Sequence, residues 1–360
     1  MAVRIFRTNC LFHVQNQRHF LHSHTRQFAS LIACNRRGIR PSCLVGARVQ
    51  MASFTSNGGK SGVMDLSGIY PPIVTPFGKD ENISVEKLEE NFAKWNKHSF
   101  RGYVVQGSNG EYAFMRPDEK IMLLSKVRQL APKDKLIIAG SGCEATRDTI
   151  EMTSRMASAG ADAALVVTPC FYKGSMNAAA LENHFTQVAD SSPIPIILYS
   201  VPANTGIDLP VECVINLSSH PNIIGVKDSG GDISKIGYMV HKTSGNNFQV
   251  LAGSASFLLA SYVLGAVGGV CALANVLGSE VCQLHQLYQE GKLDEARLLQ
   301  HKLILPNTAV TKTYGVAGLK ASMDMMGLYG GPTRSPLMRS TQKQMLDIAG
   351  IFKEFEGFGG

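Results

Sequence analysis

From residue 66 onward the chain alternates short runs of apolar, largely β-branched residues with longer stretches whose apolar positions recur every three or four residues. The short runs lie at 69–75, 102–106, 136–139, 163–168, 194–200, 222–226, 248–252 and 268–273. Each is nearly continuous in apolar character, as strands covered on both faces are. Helical signals fill the intervals. Ser84 precedes an amphipathic stretch at 85–97, and Pro117, Asp118 and Glu119 open a helix whose Leu123, Val127 and Leu130 share one face. Stretches at 149–159, 178–189, 210–218, 233–242 and 256–264 continue the alternation. Eight successive β-then-α units predict an α/β fold, a parallel sheet closed into a (β/α)8 TIM barrel. An open doubly wound sheet would want a glycine-rich turn after its first strand, and Tyr70-Pro-Pro-Ile-Val-Thr-Pro76 is nothing like one. After Ser279 the pattern is purely helical, at 280–290, 293–305, 308–326 and 342–356. This predicts a barrel domain over 65–291 and a C-terminal helical extension over 292–360.

Charge changes the picture at the N-terminus. The net +7 suggests a nucleic-acid partner until its location is noted. Residues 1–64 contain no Asp or Glu and nine basic residues, from Arg4 to Lys60, so the remainder of the chain is slightly acidic and offers no basic stripe. An acid-free, arginine-rich leader carrying Ile5, Phe6, Leu11, Phe12, Phe20 and Leu21 has the composition of a mitochondrial presequence. The expected location is therefore the mitochondrial matrix after removal of a transit peptide within 1–64. No run approaches the ~18 apolar residues of a membrane span. Neither a nucleic acid nor a membrane is expected as a partner. Among the eight cysteines, Cys143, Cys170, Cys213, Cys271 and Cys282 follow the leader without zinc-like spacing, and buried free thiols are expected.

The ends of the strands carry the candidate chemistry, because a barrel builds its site there. Lys227 directly follows the sixth run, where an apolar surround disfavours an ammonium and a neutral amine can attack a ketone. Tyr199 ends the fifth. A tyrosine there is often a packed ring, but beside a Schiff-base amine it can shuttle protons. The second run enters Gly107-Ser-Asn-Gly-Glu111, which reads either as a plain βα turn or as a cradle in which Ser108 and Asn109 capture a carboxylate.

The segments Y-P-P-I-V-T-P-F, G-S-N-G-E, V-V-T-P, Y-S-V-P-A-N-T-G, G-V-K-D-S-G-G-D and L-A-G-S-A, in this order, resemble the Schiff-base lyases that include dihydrodipicolinate synthase and N-acetylneuraminate lyase. The resemblance runs from Leu66 to the C-terminal helices. It implies Lys227 as the Schiff-base lysine, Tyr199 as proton shuttle and Ser108 as relay hydroxyl. Ser108 and Asn109 would hold the keto-acid carboxylate, with Ser229 and Gly253 in substrate contact. Within the family, V-V-Q-G-S-N-G-E, G-S-G-C-E and G-A-V-G-G-V-C-A-L-A-N-V-L-G are most similar to the mitochondrial aldolase branch. That implies cleavage of 4-hydroxy-2-oxoglutarate to pyruvate and glyoxylate, as in hydroxyproline catabolism, without metal or organic cofactor. The implied partner is a small 2-keto acid, and the implied assembly a homotetramer of paired dimers.

Two positions depart from relatives. Asn204 falls where the synthases place an arginine for their second substrate. Phe171 stands where many relatives carry a second tyrosine that reaches a neighbouring subunit, so either Tyr172 substitutes or the relay ends at Ser108. Alternatives remain a synthase, a sialic-acid lyase, or a catalytically silent structural or binding relative. A phosphate-binding barrel is also compatible with Gly253-Ser-Ala and Gly268-Gly269 after the last strands.

Overall fold

The computed structural model describes residues 64–355. The leader expected over 1–64 lies, but for Met64, outside the described residues. Eight parallel strands form one sheet: β1 (Gly68–Tyr70), β2 (Gly102–Val105), β3 (Leu136–Gly140), β4 (Ala163–Val167), β5 (Ile196–Ser200), β6 (Ile223–Asp228), β7 (Gln249–Ala252) and β8 (Gly268–Val270). Each pairs with its sequence neighbour from β2 to β8, and β8 returns to β1. The last seam closes just beyond β1. Val104 donates to the Pro71 carbonyl at 3.0 Å and Ile73 donates to the Val104 carbonyl at 3.0 Å. Pro71 and Pro72 lack N–H donors, so pairing there is sparse and the strand expected over 69–75 shortens to three residues. The fold is the expected TIM barrel.

The helices follow in order: α1 (Val85–Trp95), α2 (Pro117–Leu130), α3 (Thr146–Ser158), α4 (Ala178–Ser191), α5 (Pro202–Thr205), α6 (Val211–Leu217), α7 (Ile233–Thr243), α8 (Leu258–Val263), α9 (Gly278–Gln289), α10 (Leu293–Thr308), α11 (Gly315–Met325) and α12 (Gln342–Phe352). Ser84 caps α1 by accepting the Lys87 N–H, and Asn177 and Asp232 cap α4 and α7 in the same way. The helix expected over 308–326 is divided. A π-turn at Ala309–Thr313 and Gly315, whose φ of +57° suits a glycine, separate α10 from α11. Among the described residues no helix is long and apolar enough to cross a membrane.

Alternation along each strand sorts side chains into layers. Val104, Ile138, Leu165, Ile197, Tyr199, Leu251 and Val270 fill the barrel interior. Ala164, Val166, Leu198 and Val226 face outward against α4, α6 and α7. A third cluster joins α1, α2 and α9–α12. The five cysteines of this region are free, but only Cys213 and Cys271 are buried. Cys143, Cys170 and Cys282 are half-buried, because they lie at strand mouths or on a helix flank rather than within the packed runs.

Candidate active site

Tyr199 and Lys227 are paired rung to rung across the β5–β6 ladder. Their predecessors Leu198 and Val226 face the outer layer, so the two-residue alternation turns both functional side chains inward. Lys227 is 3% exposed, and its Nζ lies 3.9 Å from the centroid of the Tyr199 ring. The sequence places Lys227 just after a strand; in the structure β6 continues through Asp228, because β5 and β7 both extend far enough to pair with it.

Asp228 is fully buried, yet its charge is committed elsewhere. Lys235 Nζ lies 3.0 Å from its Oδ2, and the Gly230 N–H donates to Oδ1 at 2.9 Å. Lys235 also pairs with Asp208, which accepts the Ser200 hydroxyl at 3.0 Å. The Lys227 amine is thereby left facing an aromatic ring rather than the carboxylate beside it in sequence.

Ser108 enters from the turn after β2, its Oγ 3.3 Å from the Tyr199 hydroxyl. Burial by itself would push the Tyr199 phenol up. The Lys227 ammonium, with hydrogen bonds from Ser108 and contact with Ser229, outweighs burial and holds the phenol below its ordinary value. Ser229 Oγ also donates to the Gly253 carbonyl at 3.4 Å. Gly253 has no room for a side chain, since a Cβ there would sit 2.0 Å from Ser229 Oγ and 2.6 Å from the Asp228 carbonyl oxygen. Ser108, Asn109, Tyr199, Lys227, Ser229 and Gly253 all line one open cleft of about 1190 Å³ at the C-terminal ends of the strands. Asn204, on α5, lines the same cleft. Phe171 and Tyr172 do not: they stand 75% and 73% exposed on the loop after β4, edge to face at 5.0 Å. Glu144 holds that loop by accepting the N–H groups of Cys170 and Phe171.

The turn bearing Ser108 and Asn109 is held by residues the sequence reading did not find. Glu111 adopts a left-handed backbone, φ +57°, and is buried. One carboxylate oxygen meets Lys320 Nζ at 2.6 Å, and the other accepts the Arg334 N–H at 2.8 Å. Lys320, 1% exposed on α11, completes its donors on the Thr75 and Pro332 carbonyls. The Thr75 hydroxyl donates to the Gly110 carbonyl at 2.6 Å. Arg334 grips Glu119 through two nitrogens, at 2.8 and 2.9 Å. The available signal was Lys320 itself, a charge within the apolar helical run G-V-A-G-L-K-A-S-M.

A buried amine, an adjacent phenol, a hydroxyl on that phenol and a glycine-rich turn around an open cleft form the equipment of imine chemistry on a keto acid. A sequence profile of the dihydrodipicolinate synthetase family matches residues 65–354. The chain belongs to that family. This family member is 32% identical over 294 residues to a probable mitochondrial 4-hydroxy-2-oxoglutarate aldolase of Emericella nidulans, covering 80% of this chain and 94% of that protein. It is 32% identical over 293 residues to a 4-hydroxy-tetrahydrodipicolinate synthase of Methanothrix thermoacetophila, covering 81% and 98%. Its fold matches the crystal structure of a Bacillus anthracis dihydrodipicolinate synthase with a TM-score of 0.78 at 27% identity, covering 81% and 99%. As a dihydrodipicolinate synthetase family protein, the chain is a pyruvate-dependent lyase. Equal identity to an aldolase and to a synthase leaves the second substrate to be argued from the site.

Proposed function

We propose that this chain is a Schiff-base aldolase that cleaves 4-hydroxy-2-oxoglutarate into pyruvate and glyoxylate. The observation that carries the chemistry is the pairing of Lys227 with Tyr199, amine against phenol on one rung of the barrel. The observation that favours the aldolase over a synthase is Asn204, a neutral amide on the cleft wall where the synthase pattern calls for an arginine.

In this reading Lys227 Nζ attacks the C2 ketone, and loss of water from the carbinolamine gives an iminium. The C3–C4 bonding pair then flows into that iminium, leaving an enamine on C3, while the C4 hydroxyl proton passes to Tyr199 and the C4–C5 fragment leaves as glyoxylate. Tyr199 returns the proton to C3, and water releases pyruvate from Lys227. Ser108 and Asn109 take the C1 carboxylate, and Ser108 also steadies the Tyr199 oxygen. Ser229, packed against Gly253, borders the reacting carbons. We also read the active form as a homotetramer in the mitochondrial matrix, on the strength of the leader composition and the family resemblance.

Borohydride reduction in the presence of pyruvate, and separately of 4-hydroxy-2-oxoglutarate, tests the reading by intact mass and peptide mapping. The expected result is the same pyruvyl adduct on Lys227 from both, with glyoxylate in the unreduced reaction. An adduct without glyoxylate moves the assignment to another aldehyde partner. Absence of any adduct on Lys227 overturns it.

A further inference from the structure

Each member of the reactive pair is followed by a polar residue on the opposite face of its strand. Ser200 ends β5 and Asp228 ends β6, and the two are paired on the rung after Tyr199 and Lys227. Both are buried. Alternation turns them out of the barrel, where they meet one charged cluster. The Ser200 hydroxyl donates to Asp208 Oδ1 at 3.0 Å and accepts the Leu209 N–H at 3.1 Å. Lys235 Nζ pairs with Asp208 and lies 3.0 Å from Asp228 Oδ2. The backbone of Lys235 is itself anchored, since its N–H donates to Asp232 at the start of α7. Gly230 packs between the two carboxylates: a Cβ there would lie 3.2 Å from Asp228 Oδ1 and 3.9 Å from Asp208 Oδ1.

The cluster holds two acids and one cation, and the acids are not alike. The Asp208 side chain is 55% exposed and that of Asp228 is 0% exposed. Water screens the first carboxylate but not the second. Lys235 is the only cation paired with Asp228 among the described residues. Through the thickness of β6 lies the Lys227 amine, also buried. The other titratable groups that face it are the Tyr199 phenol on β5 and, just after β8, the Cys271 thiol, which burial pushes up to about 12 and so keeps neutral. Its rung partner on β7 is the apolar Leu251. A bare carboxylate at 228 would favour the ammonium form of Lys227, which cannot attack a ketone.

We propose that Lys235 is a positioning residue for imine formation: paired with Asp228, it keeps an uncompensated negative charge from the far face of β6 and leaves the Lys227 amine free to lose its proton. The inference rests on the Schiff-base reading above, and Lys235 acts in it through Asp228 rather than on the substrate. The step it serves is the first. The ammonium proton passes to solvent and the freed nitrogen lone pair forms the bond to C2. The carbonyl π pair moves to oxygen, and one N–H proton ends on that oxygen to give the neutral carbinolamine.

The test is the pH dependence of formation of the reducible pyruvate imine on the full chain, measured by rapid mixing and borohydride quench. It compares the parent with Lys235→Met and with Lys235→Met combined with Asp228→Asn. In Lys235→Met the rising limb is expected to move about one unit to higher pH, the order given by one charge in a poorly screened interior. Imine formation at pH 7 then falls about tenfold and recovers toward the parental rate in alkaline solution. The double variant should bring the limb back, because no charge remains to be compensated. A purely structural role would lower the rate by one factor at every pH and leave the limb in place. That outcome, or a double variant whose limb stays displaced, would overturn the proposal. Should Lys235→Met fold poorly, Lys235→Gln keeps a donor to Asp228 without the charge. The same displacement is expected there, and an undisplaced limb counts against the proposal. Failure of the parent itself to form adduct would instead overturn the Schiff-base reading.

Discussion

Two regions supply the candidate site, and they are held in opposite ways. Tyr199 and Lys227 sit on adjacent strands of the barrel wall, where backbone ladders to β4, β5, β6 and β7 fix their positions and the two-residue alternation fixes their direction. Ser108 and Asn109 sit on an irregular turn with a left-handed residue at its end. That turn is held by charges from far along the chain, Lys320 and Arg334 on Glu111. The Tyr199–Lys227 pair depends on strand geometry, and the Ser108–Asn109 turn depends on the completed tertiary structure. Groups on a rigid ladder are held more precisely than groups on a loop, so the strand pair has the less freedom of the two.

This contrast gives an ordered set of tests. Lys227→Arg strikes the strand pair hardest: turnover falls below detection and no reducible adduct forms, because a guanidinium does not deprotonate to attack a ketone. Circular dichroism checks that the fold persists, and appreciable residual turnover would remove the covalent step. Tyr199→Phe should retain imine formation yet lose about 10²- to 10⁴-fold in cleavage rate, the usual contribution of a general acid–base. Single-turnover glyoxylate release reads it.

On the other side of the comparison, Lys320→Met leaves the Glu111 carboxylate buried without its cation. A loss of about 3–5 kcal/mol in unfolding free energy is expected, together with a raised KM and a smaller change in kcat. Denaturant melts and steady-state kinetics measure both. Adding Glu111→Gln to Lys320→Met should recover part of that loss, since the uncompensated charge is gone. A loss confined to kcat would mean that the turn positions the reacting atoms rather than the carboxylate.

The smallest effect is a pH shift that joins the two regions. The Tyr199 phenol is held below its ordinary value by Lys227 and by the Ser108 hydrogen bond, against the upward push of burial. Ser108→Ala removes a donor to the phenolate, so the anion is less favoured and the phenol titrates at higher pH. The acid-side limb of the kcat profile assigned to Tyr199 should therefore move to higher pH. A limb that stays in place would show that the turn does not reach the strand pair electrostatically.

The same contrast explains what was legible in the sequence. Continuous β-branched runs between amphipathic stretches are the direct imprint of strands covered on both faces, so all eight strands and the barrel could be read, as could the strand ends bearing Tyr199 and Lys227. Boundaries were less legible where a partner decides them: β6 runs on through Lys227 and Asp228 because β5 and β7 do. Glu111 read only as the end of a turn, because its left-handed backbone and its distant cation leave no local pattern. Asp228 and Lys235 were invisible as a pair for a similar reason. They lie seven positions apart, and it is the fold that brings Lys235 on α7 to both Asp228 at the end of β6 and Asp208 in the loop before α6.

Order of synthesis gives the Glu111 contacts another meaning. A ribosome making this chain lays down the carboxylate turn early, but the Arg334 amide that secures it is 223 residues further on. Until α11 and the segment after it have emerged, the turn lacks both contacts on the Glu111 carboxylate. A chain cut short before α11 would lack both Lys320 and Arg334, and with them both contacts on the Glu111 carboxylate. The arrival of α11 and the segment after it is the event that joins the first third of the barrel to its last helices at Glu111.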